Sequence, residues 1–524
     1  MSHRRKQRVD VVYLDAVLDI PPELWEIIAA SLPRESLAAL CLVCRQFCSI
    51  ISPILYRDLS NPPLNIVQSS QLLETLSKGQ TRCCPTPSLL IRKLAFRESR
   101  SANQNSKVAI EVLRGLPRGA ELRAIHWDSM PGLDDLGRIL RDRNHLPNFN
   151  ELVVKCNGKD VNNFNFIQTR GLQTLELDLR CSIFDIYDDY EIGRKICYKL
   201  TEALQILPFS SPLLHTFRFR LALPHCEEFP HEAYSDLVAT INESMQFPAL
   251  KTLELSVNLR DDESFNEFDL YSGNSPSTDF GNFLVANPTL VDLTLSASQT
   301  KCPKDVPFLP QLRFFKGTFE FAAALLADPA DVEKLDLTFI GSIWADFPIL
   351  RTPPLPGHPS LTHLRVLAFD LDGKPLKLSG SLASSTFARL ASSFRNLMHL
   401  DICISGRFKE YQKDLMLLTR LQSLRIQEFR TTPYKLTCNS AQLETIFPPN
   451  EYTEAFKQIL PYLAELQSIE ICILADFREE EYGDMHHEDD LFEPPEMKID
   501  YFFTWTRPLV QEFFVRVNAV SLRK

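Results

Sequence analysis

Hydrophobic residues follow two different periods along this chain of 524 residues. In residues 19–59 they recur every three or four positions, which is the spacing of amphipathic helices. Further along, a six-residue pattern recurs, which we call a strand word. Its first, fourth and sixth residues are apolar. The alternation at the end of each word predicts a half-buried β-strand. The chain is therefore predicted to begin with a small helical segment and to continue as a long series of strands.

The helical segment, residues 19–59, carries clear start and stop signals. Asp19 can cap a first helix, and Pro21 and Pro22 suit its first turn. Pro33 ends that helix because proline has no backbone N–H to continue the hydrogen-bond ladder. Two further segments with a helical apolar stripe follow. The first of these predicted helices is apolar on nearly every side. Such a helix needs burial on more than one face, which predicts a partner or a packed neighbouring domain.

The strand words are spaced by roughly 20 to 45 residues, a range typical of repeat arrays. The clear copies begin at Leu172, Leu250, Leu290, Val332, Leu397, Leu421 and Leu466. Segments with a helical period separate several of them, for example residues 196–207 and 456–463. Strand, helix and return to the next strand predict a parallel sheet with right-handed connections. The predicted fold class is an α/β repeat, and a non-repetitive α/β domain is the alternative.

Residues between the apolar positions of each word point to one face of the predicted sheet. On a concave surface such residues could bind a protein target, whereas a plain solvated face explains each of them singly. The pair Arg218 and Arg220 makes recognition of a phosphorylated target testable. The candidate target-binding residues are Glu176, Asp178, Arg218, Arg220, Glu254, Asp292, Lys334, Asp336, Arg365, Asp401 and Arg425.

Composition narrows the possible functions. A net charge of −11 disfavours nucleic-acid binding, and only 17 glycines disfavour phosphate-cradling loops. No apolar run reaches the ~18 residues of a membrane span. The 13 cysteines lie mostly in apolar runs, which indicates reduced thiols in the cytoplasm or nucleus. The basic cluster at residues 3–8 could be a nuclear localisation signal, although a solvated, disordered start is the preferred interpretation.

Candidate chemical sites are few, and no metal or cofactor is predicted. Cys41 and Cys44 have metal-like spacing but belong to an apolar helix stripe, which favours a core role. The run from His486 to Asp490 could chelate a metal, yet its acidic surroundings favour an exposed loop. Residues 185–191 are acidic but lack the glycine and spacing of a calcium loop. Phosphate-loop, nucleophile-elbow and zinc-protease motifs are absent from the sequence, so no enzyme is predicted.

The helical segment resembles the F-box. The resemblance rests on the two blocks Ile20-Pro21-Pro22-Glu23-Leu24 with Ile27, and Leu37, Leu40, Val43, Cys44-Arg45 with Phe47. Ile20 departs slightly, since leucine is commoner there, and the closing residues 53–57 look like fungal versions. The resemblance implies binding to the small Skp adaptor and, through it, to a cullin–RING ubiquitin ligase. It implies that the adaptor-facing residues are Ile20, Pro21, Glu23, Leu24, Ile27, Leu37, Leu40, Val43 and Phe47. Packing inside the module is the alternative for each apolar one.

The strand words are similar to leucine-rich repeats of irregular length. They depart from the regular form because the Asn or Cys after each strand is mostly missing, with Asn258 as an exception. Together the two resemblances predict an N-terminal three-helix F-box followed by an irregular solenoid with a parallel sheet. The predicted boundaries are a disordered start at 1–17, the F-box at 18–59, a linker or irregular cap at 60–88, the solenoid at 89–475, an acidic loop at 476–498 and a C-terminal cap at 499–524.

Two functions fit this organisation. In the first, the chain is a substrate receptor of a Skp–cullin–F-box ubiquitin ligase, and its repeats hold an unknown protein target. In the second, it is a protein-binding scaffold whose F-box acts outside a ligase. An enzyme with an unrecognised α/β site is a third and weaker alternative.

Overall fold

The computed structural model divides the chain into two compact units. The first comprises residues 1–217 and 228–237, and the second comprises residues 218–227 and 238–524. The structure describes residues 21–78, 87–98, 104–142, 145–157, 164–180, 189–223, 231–259, 280–297, 309–318, 321–322, 325, 331–340, 360–369, 384–405, 407–432, 449–477, 499–506 and 514–519.

The first unit opens with a three-helix module and continues as alternating strands and helices. The module consists of α1 (Pro22–Ala30), α2 (Arg34–Val43) and α3 (Arg45–Arg57). The strands are β1 (Asp58–Leu64), β2 (Lys93–Arg97), β3 (Ala124–Asp128), β4 (Glu151–Asn157) and β5 (Thr174–Arg180). The remaining helices are α4 (Ile66–Ser77), α5 (Pro87–Leu90), α6 (Gln104–Gly115), α7 (Leu133–Arg141), the 3₁₀ turn Asn165–Gln168 and α8 (Asp189–Ser210). Strands β1 to β5 pair in parallel and in chain order.

The division between the units falls within β6 (Thr216–Leu223) and α9 (His231–Ser244). The other strands of the second unit are β7 (Thr252–Leu259), β8 (Asp292–Ala297), β9 (Phe314–Thr318), β10 (Lys334–Ile340), β11 (His363–Phe369), β12 (His399–Ser405), β13 (Ser423–Thr432), β14 (Ser468–Phe477), β15 (Ile499–Thr506) and β16 (Phe514–Ala519). Its other helices are α10 (Phe280–Ala286), α11 (Ser384–Ser393), the 3₁₀ turn Phe408–Tyr411, α12 (Gln412–Leu415) and α13 (Pro449–Ile459).

Strands β7 to β14 form parallel ladders in chain order, so the predicted parallel sheet is confirmed. β15 pairs antiparallel with β14, and β16 pairs antiparallel with β15. This turned-back pair lies within the predicted C-terminal cap. Its role as a cap, and the solenoid character of the strand series, stay predictions.

The strand words form the core, as their pattern predicts. The apolar residues of all the clear copies are at most 3 % exposed: Leu172, Leu175, Leu177, Leu250, Leu253, Leu255, Leu290, Leu293, Leu295, Val332, Leu335, Leu337, Leu397, Leu400, Ile402, Leu421, Leu424, Ile426, Leu466, Ile469 and Ile471. Fully burying one such side chain contributes about 1.5–3 kcal/mol, and cross-strand repetition places these residues in continuous rows. The described helices between strands include none long and apolar enough to cross a bilayer.

Buried polar side chains fasten successive turns where the helices return to the sheet. In the second unit, Asn287 accepts a hydrogen bond from the Phe247 N–H at 2.8 Å and donates to the Met245 carbonyl at 3.2 Å. In the first unit, the Ser211 hydroxyl donates to the Thr169 carbonyl and accepts from a backbone N–H, both at 2.9 Å. These bonds satisfy backbone groups that would otherwise be buried without partners.

The interpretation of residues 60–88 as a linker is corrected by β1 and α4. Asn65 and Gln68 form a capping box that starts α4, because each side chain bonds the other's backbone N–H. Leu64 and Leu72 are buried, and β1 pairs with β2. The prolines and polar residues of this stretch masked a strand and a capped helix. The irregular-cap interpretation stays a prediction.

Candidate adaptor-docking surface and polar strand face

The three-helix module has a small core of its own. Trp25, Ala29, Leu37, Phe47 and Ile51 are buried together. The rings of Trp25 and Phe47 meet edge to face, with 4.9 Å between their centroids. Such pairs stabilise a core beyond the area they bury, by about 0.5–1.5 kcal/mol. This contact ties α1 to α3 and fixes which faces of the helices remain outside.

The outward faces of the module are unusually apolar. On α1, Leu24 is 49 % exposed and Ile27 is 69 % exposed. At the end of α2, Leu42 is 88 % exposed and Val43 is 56 % exposed. Clustered exposed apolar side chains mark interaction sites, whereas isolated ones need no explanation. These four exposed side chains are therefore candidates for a docking surface.

The structure divides the predicted adaptor-facing residues into two groups. Pro21, Leu24, Ile27 and Val43 are exposed, so their side chains are available to a partner. The buried or half-buried group, which packs in the module's own core, is Leu37, Leu40 and Phe47. Ile20 and the Glu23 side chain lie outside the described residues. The adaptor-facing role of every member stays a prediction, but for the buried group the core alternative describes the observed packing.

Two cysteines of the module are packing residues. Cys41 and Cys44 pack against the core, and the Cys41 thiol lies 3.8 Å from the Ser52 hydroxyl. Burial raises the pKa of the Cys41 thiol, which keeps it protonated and poorly reactive. Among the described residues, no group of three or more His, Cys, Asp or Glu side chains could hold a metal ion. The run from His486 to Asp490 lies outside the described residues, as do residues 185–188.

Charged residues of the second unit form a continuous row across its parallel strands. The strand register aligns, in order, Lys316, Asp336, Arg365, Asp401, Arg425 and Glu470. Adjacent members are ion-paired: Arg365 lies 3.6 Å from Asp336 and 3.1 Å from Asp401. Lys316 reaches Asp336 at 3.8 Å, and Arg425 bridges Asp401 at 3.9 Å and Glu470 at 3.4 Å. We call this set the charge row.

Asp401 is a half-buried carboxylate near the middle of the charge row. Its burial raises the pKa of the carboxyl group, although Arg365 and Arg425 act in the opposite direction. Asp336 and Glu470 raise this pKa further, so the two cationic neighbours do not offset burial and like-charge repulsion together.

A second row crosses strands β7 to β12, and on the strands that it shares with the charge row it lies two residues earlier. It aligns Thr252, Asp292, Phe314, Lys334, His363 and His399. The imidazole rings of His363 and His399 stack with 4.1 Å between centroids. Burial lowers the pKa of both, and the positive charge of Lys334 lowers each of them further. Both histidines are therefore held in the neutral form more strongly than in water.

Arg218 and Arg220 do not stand as an open cationic pair. Both approach the same carboxylate, Glu254, at 3.7 Å and 2.6 Å respectively. An Arg pair already neutralised within its own sheet offers little to a phosphate group, because binding would require breaking those contacts. This arrangement weighs against Arg218 and Arg220 as a phosphate clamp.

In the first unit, the predicted target-binding residues lie on β5. Asp178 is only 4 % exposed, and Arg180 donates two hydrogen bonds to it, at 3.1 Å and 3.0 Å. Its predicted contact with a target would need Arg180 to move away first. Glu176 remains half-buried on the same strand. Next to them His126 lies 3.1 Å from Glu151, and this hydrogen bond lowers the pKa of the Glu151 carboxyl.

The structure thus brings most of the predicted target-binding residues into two rows of one sheet face in the second unit. Sequence reasoning missed Lys316 and Phe314, both on β9. The word that predicts β9 is incomplete because Gly317 stands at its third apolar position. A Cβ there would lie 2.6 Å from the Phe315 ring, so the aromatic ring occupies the space. The signal that could have predicted this strand is a large apolar residue, Phe315, shortly before the glycine at position 317.

The fold defines a small helical module with an apolar outer surface, followed by an α/β body of parallel strands. Residues 17–62 match the sequence model of the family described as F-box-like. The chain therefore contains an F-box-like domain, and the resemblance of its helical segment to the F-box is confirmed. The match covers the module and most of β1 but none of the later strands. No curated protein matches the chain.

Proposed function

We propose that this protein is the substrate-recognition subunit of a Skp–cullin–F-box type ubiquitin ligase. Its F-box-like domain binds the Skp adaptor, which joins it to the cullin and RING subunits. Its strand face binds the protein that is to be ubiquitinated. The observation that carries the proposal is the F-box-like match at residues 17–62, on a module that exposes apolar side chains.

Ile27 and Leu42 support the adaptor-binding half of the proposal. Each is a large apolar side chain that is mostly exposed, and the module already has a core without them. Burial against an adaptor would contribute about 1.5–3 kcal/mol for each. The docking surface thus rests on accessible residues, with Leu37 and Phe47 supporting it from beneath.

The strand series supports the target-binding half. We propose that it is a leucine-rich-repeat-like solenoid whose polar face contacts the target, as repeat surfaces do. The protein itself performs no chemistry in this proposal, since the transfer of ubiquitin belongs to other subunits. Its acidic charge fits a protein target rather than nucleic acid, and its place of action is the cytoplasm, the nucleus or both.

Capture on an immobilised Skp adaptor tests the first half. We expect Ile27→Asp and Leu42→Asp each to reduce adaptor affinity by about ten-fold or more, because a charge replaces buried apolar contact. Val67→Asp is the matched control, since Val67 is 60 % exposed on α4, outside the matched domain. It should bind as the unaltered protein does.

Cullin in the captured material, and ubiquitin on proteins that co-purify, separate a ligase subunit from a scaffold. Adaptor capture without cullin would favour an F-box-like domain that acts outside a ligase. Equal capture of all three variants, or none by the unaltered chain, would contradict adaptor docking through this surface.

A further inference from the structure

The second unit contains a groove on the polar face of its first strands. The groove has a volume of about 520 Å³ and is lined by residues of β6 to β10 and their leading turns. Among the described residues that line it are three cationic and three anionic side chains, and Phe314 is the only apolar one of them. A balanced groove of this size suits a short peptide segment better than a purely anionic or purely cationic ligand.

Most charges of the groove are already paired within the protein. Glu254 receives Arg218 and Arg220, as described above. Arg313 lies 3.5 Å from Glu333 and 3.7 Å from Asp331. These residues shape the walls of the groove, and a partner would have to compete with the ion pairs that they already make.

Asp292, Phe314 and Lys334 are different. They are consecutive in the second row, with Phe314 between the carboxylate and the ammonium group. Among the described residues, Asp292 accepts a single side-chain hydrogen bond, a long one from Thr252 at 3.3 Å. Within the part of the chain that the structure describes, Lys334 makes no ion pair and is exposed. Strand β9, which carries the half-buried Phe314, lies between the strands of Asp292 and Lys334, so the two charges stand two strands apart.

We propose that this groove binds an extended segment of a protein partner. The segment carries an apolar side chain with a basic side chain on one side of it and an acidic side chain on the other. The basic side chain pairs with Asp292, the apolar one packs on Phe314 and the acidic one pairs with Lys334. The proposal rests on the proposed function and gives the target-binding face a substrate class: an unphosphorylated peptide of mixed charge.

The spacing of the three residues sets the spacing in the ligand. Neighbouring strands lie about 4.8 Å apart, so Asp292 and Lys334 stand on strands roughly 10 Å apart. In an extended peptide, side chains on one side recur every second residue, at about 6.7 Å. Charged residues two positions before and two positions after the apolar residue are therefore about 13 Å apart. Their long side chains can bend inward to match the roughly 10 Å between the strands of Asp292 and Lys334. The pattern is therefore base–x–apolar–x–acid, in either chain direction.

A peptide array probed with the full-length protein bound to its adaptor tests the proposal. The array holds seven-residue peptides with a central leucine, which differ at the positions two residues before and two residues after it. These two positions carry lysine and glutamate in both orders, two lysines, two glutamates, or lysine and phosphoserine. We expect one of the lysine–glutamate orders to bind at least about ten-fold more tightly than the like-charged peptides.

Near-isosteric variants assign the contacts. Asp292→Asn should weaken binding of the lysine–glutamate peptide about ten-fold but leave unchanged a peptide whose lysine is replaced by norleucine. Lys334→Met should likewise weaken binding of the lysine–glutamate peptide about ten-fold but leave unchanged a peptide whose glutamate is replaced by an uncharged residue. Phe314→Ala should weaken the binding of every peptide. Asp236→Asn and Lys413→Met are controls, because both residues are exposed and lie outside the groove.

Preference for phosphoserine, equal binding of all peptides, or no binding of any would each overturn the proposal. Adaptor capture of the same preparations is measured in parallel. If capture persists while the array fails, the groove assignment is wrong and the adaptor role stands. If capture fails while the array succeeds, the groove survives as a peptide site of a protein that is not a ligase subunit.

Discussion

At the scale of single residues, the stacked pair His363 and His399 links the polar face to pH. Both rings are half-buried, one on β11 and the other on β12. Protonation would place a charge in a partly desolvated position beside Lys334, and two protonated rings would repel each other. Burial is the main reason that both pKa values fall, with Lys334 adding to it.

This pair predicts a loss of stability on mild acidification. A histidine with a lowered pKa in the folded state binds fewer protons than in the unfolded chain, whose histidine pKa is about 6.5. Its contribution is therefore fully present above that value and is lost as the pH falls through it. We expect the free energy of unfolding to decrease between pH 7.5 and pH 5.5.

Chemical denaturation of the double variant His363→Gln, His399→Gln at both pH values provides the measurement. The variant should show a smaller decrease than the unaltered protein, because two groups that take up protons on unfolding are gone. An identical decrease in the two proteins would assign the pH dependence to other groups.

At the scale of elements, the charge row indicates how neighbouring strands choose their register. Each strand from β9 to β14 contributes one charge of alternating sign, while the apolar positions on either side face the core. A slip by one residue would bury the charges and expose the leucines, so the apolar pattern alone opposes it. A slip by two would keep the apolar face buried but would displace each charge from its partners.

Arg365→Glu tests the charge row. The new carboxylate would stand between Asp336 and Asp401, which replaces two attractions by two repulsions. We expect the free energy of unfolding to drop by about 1–2 kcal/mol, and less at high salt. Denaturant titrations at low and high salt measure both effects.

Asp401→Asn is the companion variant. Because burial already raises the pKa of Asp401, removing its charge also removes a desolvation cost. Its stability should stay within about 1 kcal/mol of the unaltered protein. A larger loss with the asparagine than with Arg365→Glu would show that the carboxylate, not the alternation, is what the row needs.

At the scale of the whole molecule, the two halves of the proposed function lie in different compact units. The F-box-like domain belongs to the first unit, and the groove around Phe314 belongs to the second. Substitutions at residues with no shared partners usually act independently. Adaptor docking and peptide binding should therefore be separable by single substitutions.

We expect Ile27→Asp to lose adaptor capture while keeping its peptide affinity, and Phe314→Ala to behave in the opposite way. The measurement is adaptor capture and peptide binding on the same two preparations. Loss of both activities in either variant, with the protein still folded by circular dichroism, would show that the units are coupled.

Much of this organisation was predictable from local patterns. The strand words predicted which residues form the core, because an apolar residue at those positions has only one stable place to go. The F-box-like helices were predictable because proline punctuation and apolar stripes lie within a short stretch of chain. The strand β1 and helix α4 were missed, since Pro62, Pro63 and a polar run obscured the capping box at Asn65 and Gln68.

By itself, the sequence determined the F-box-like module, the parallel strands and the set of polar residues on one face. Only the tertiary structure decided which of those polar residues meet. Glu254 draws Arg218 and Arg220 away from any ligand, whereas Asp292 and Lys334 remain available on either side of Phe314. The physical reason is that cross-strand partners are tens of residues apart, so their contacts depend on register and on neighbouring side chains. The module shows the same division, since packing against Trp25 buries Phe47 while Leu42 stays exposed.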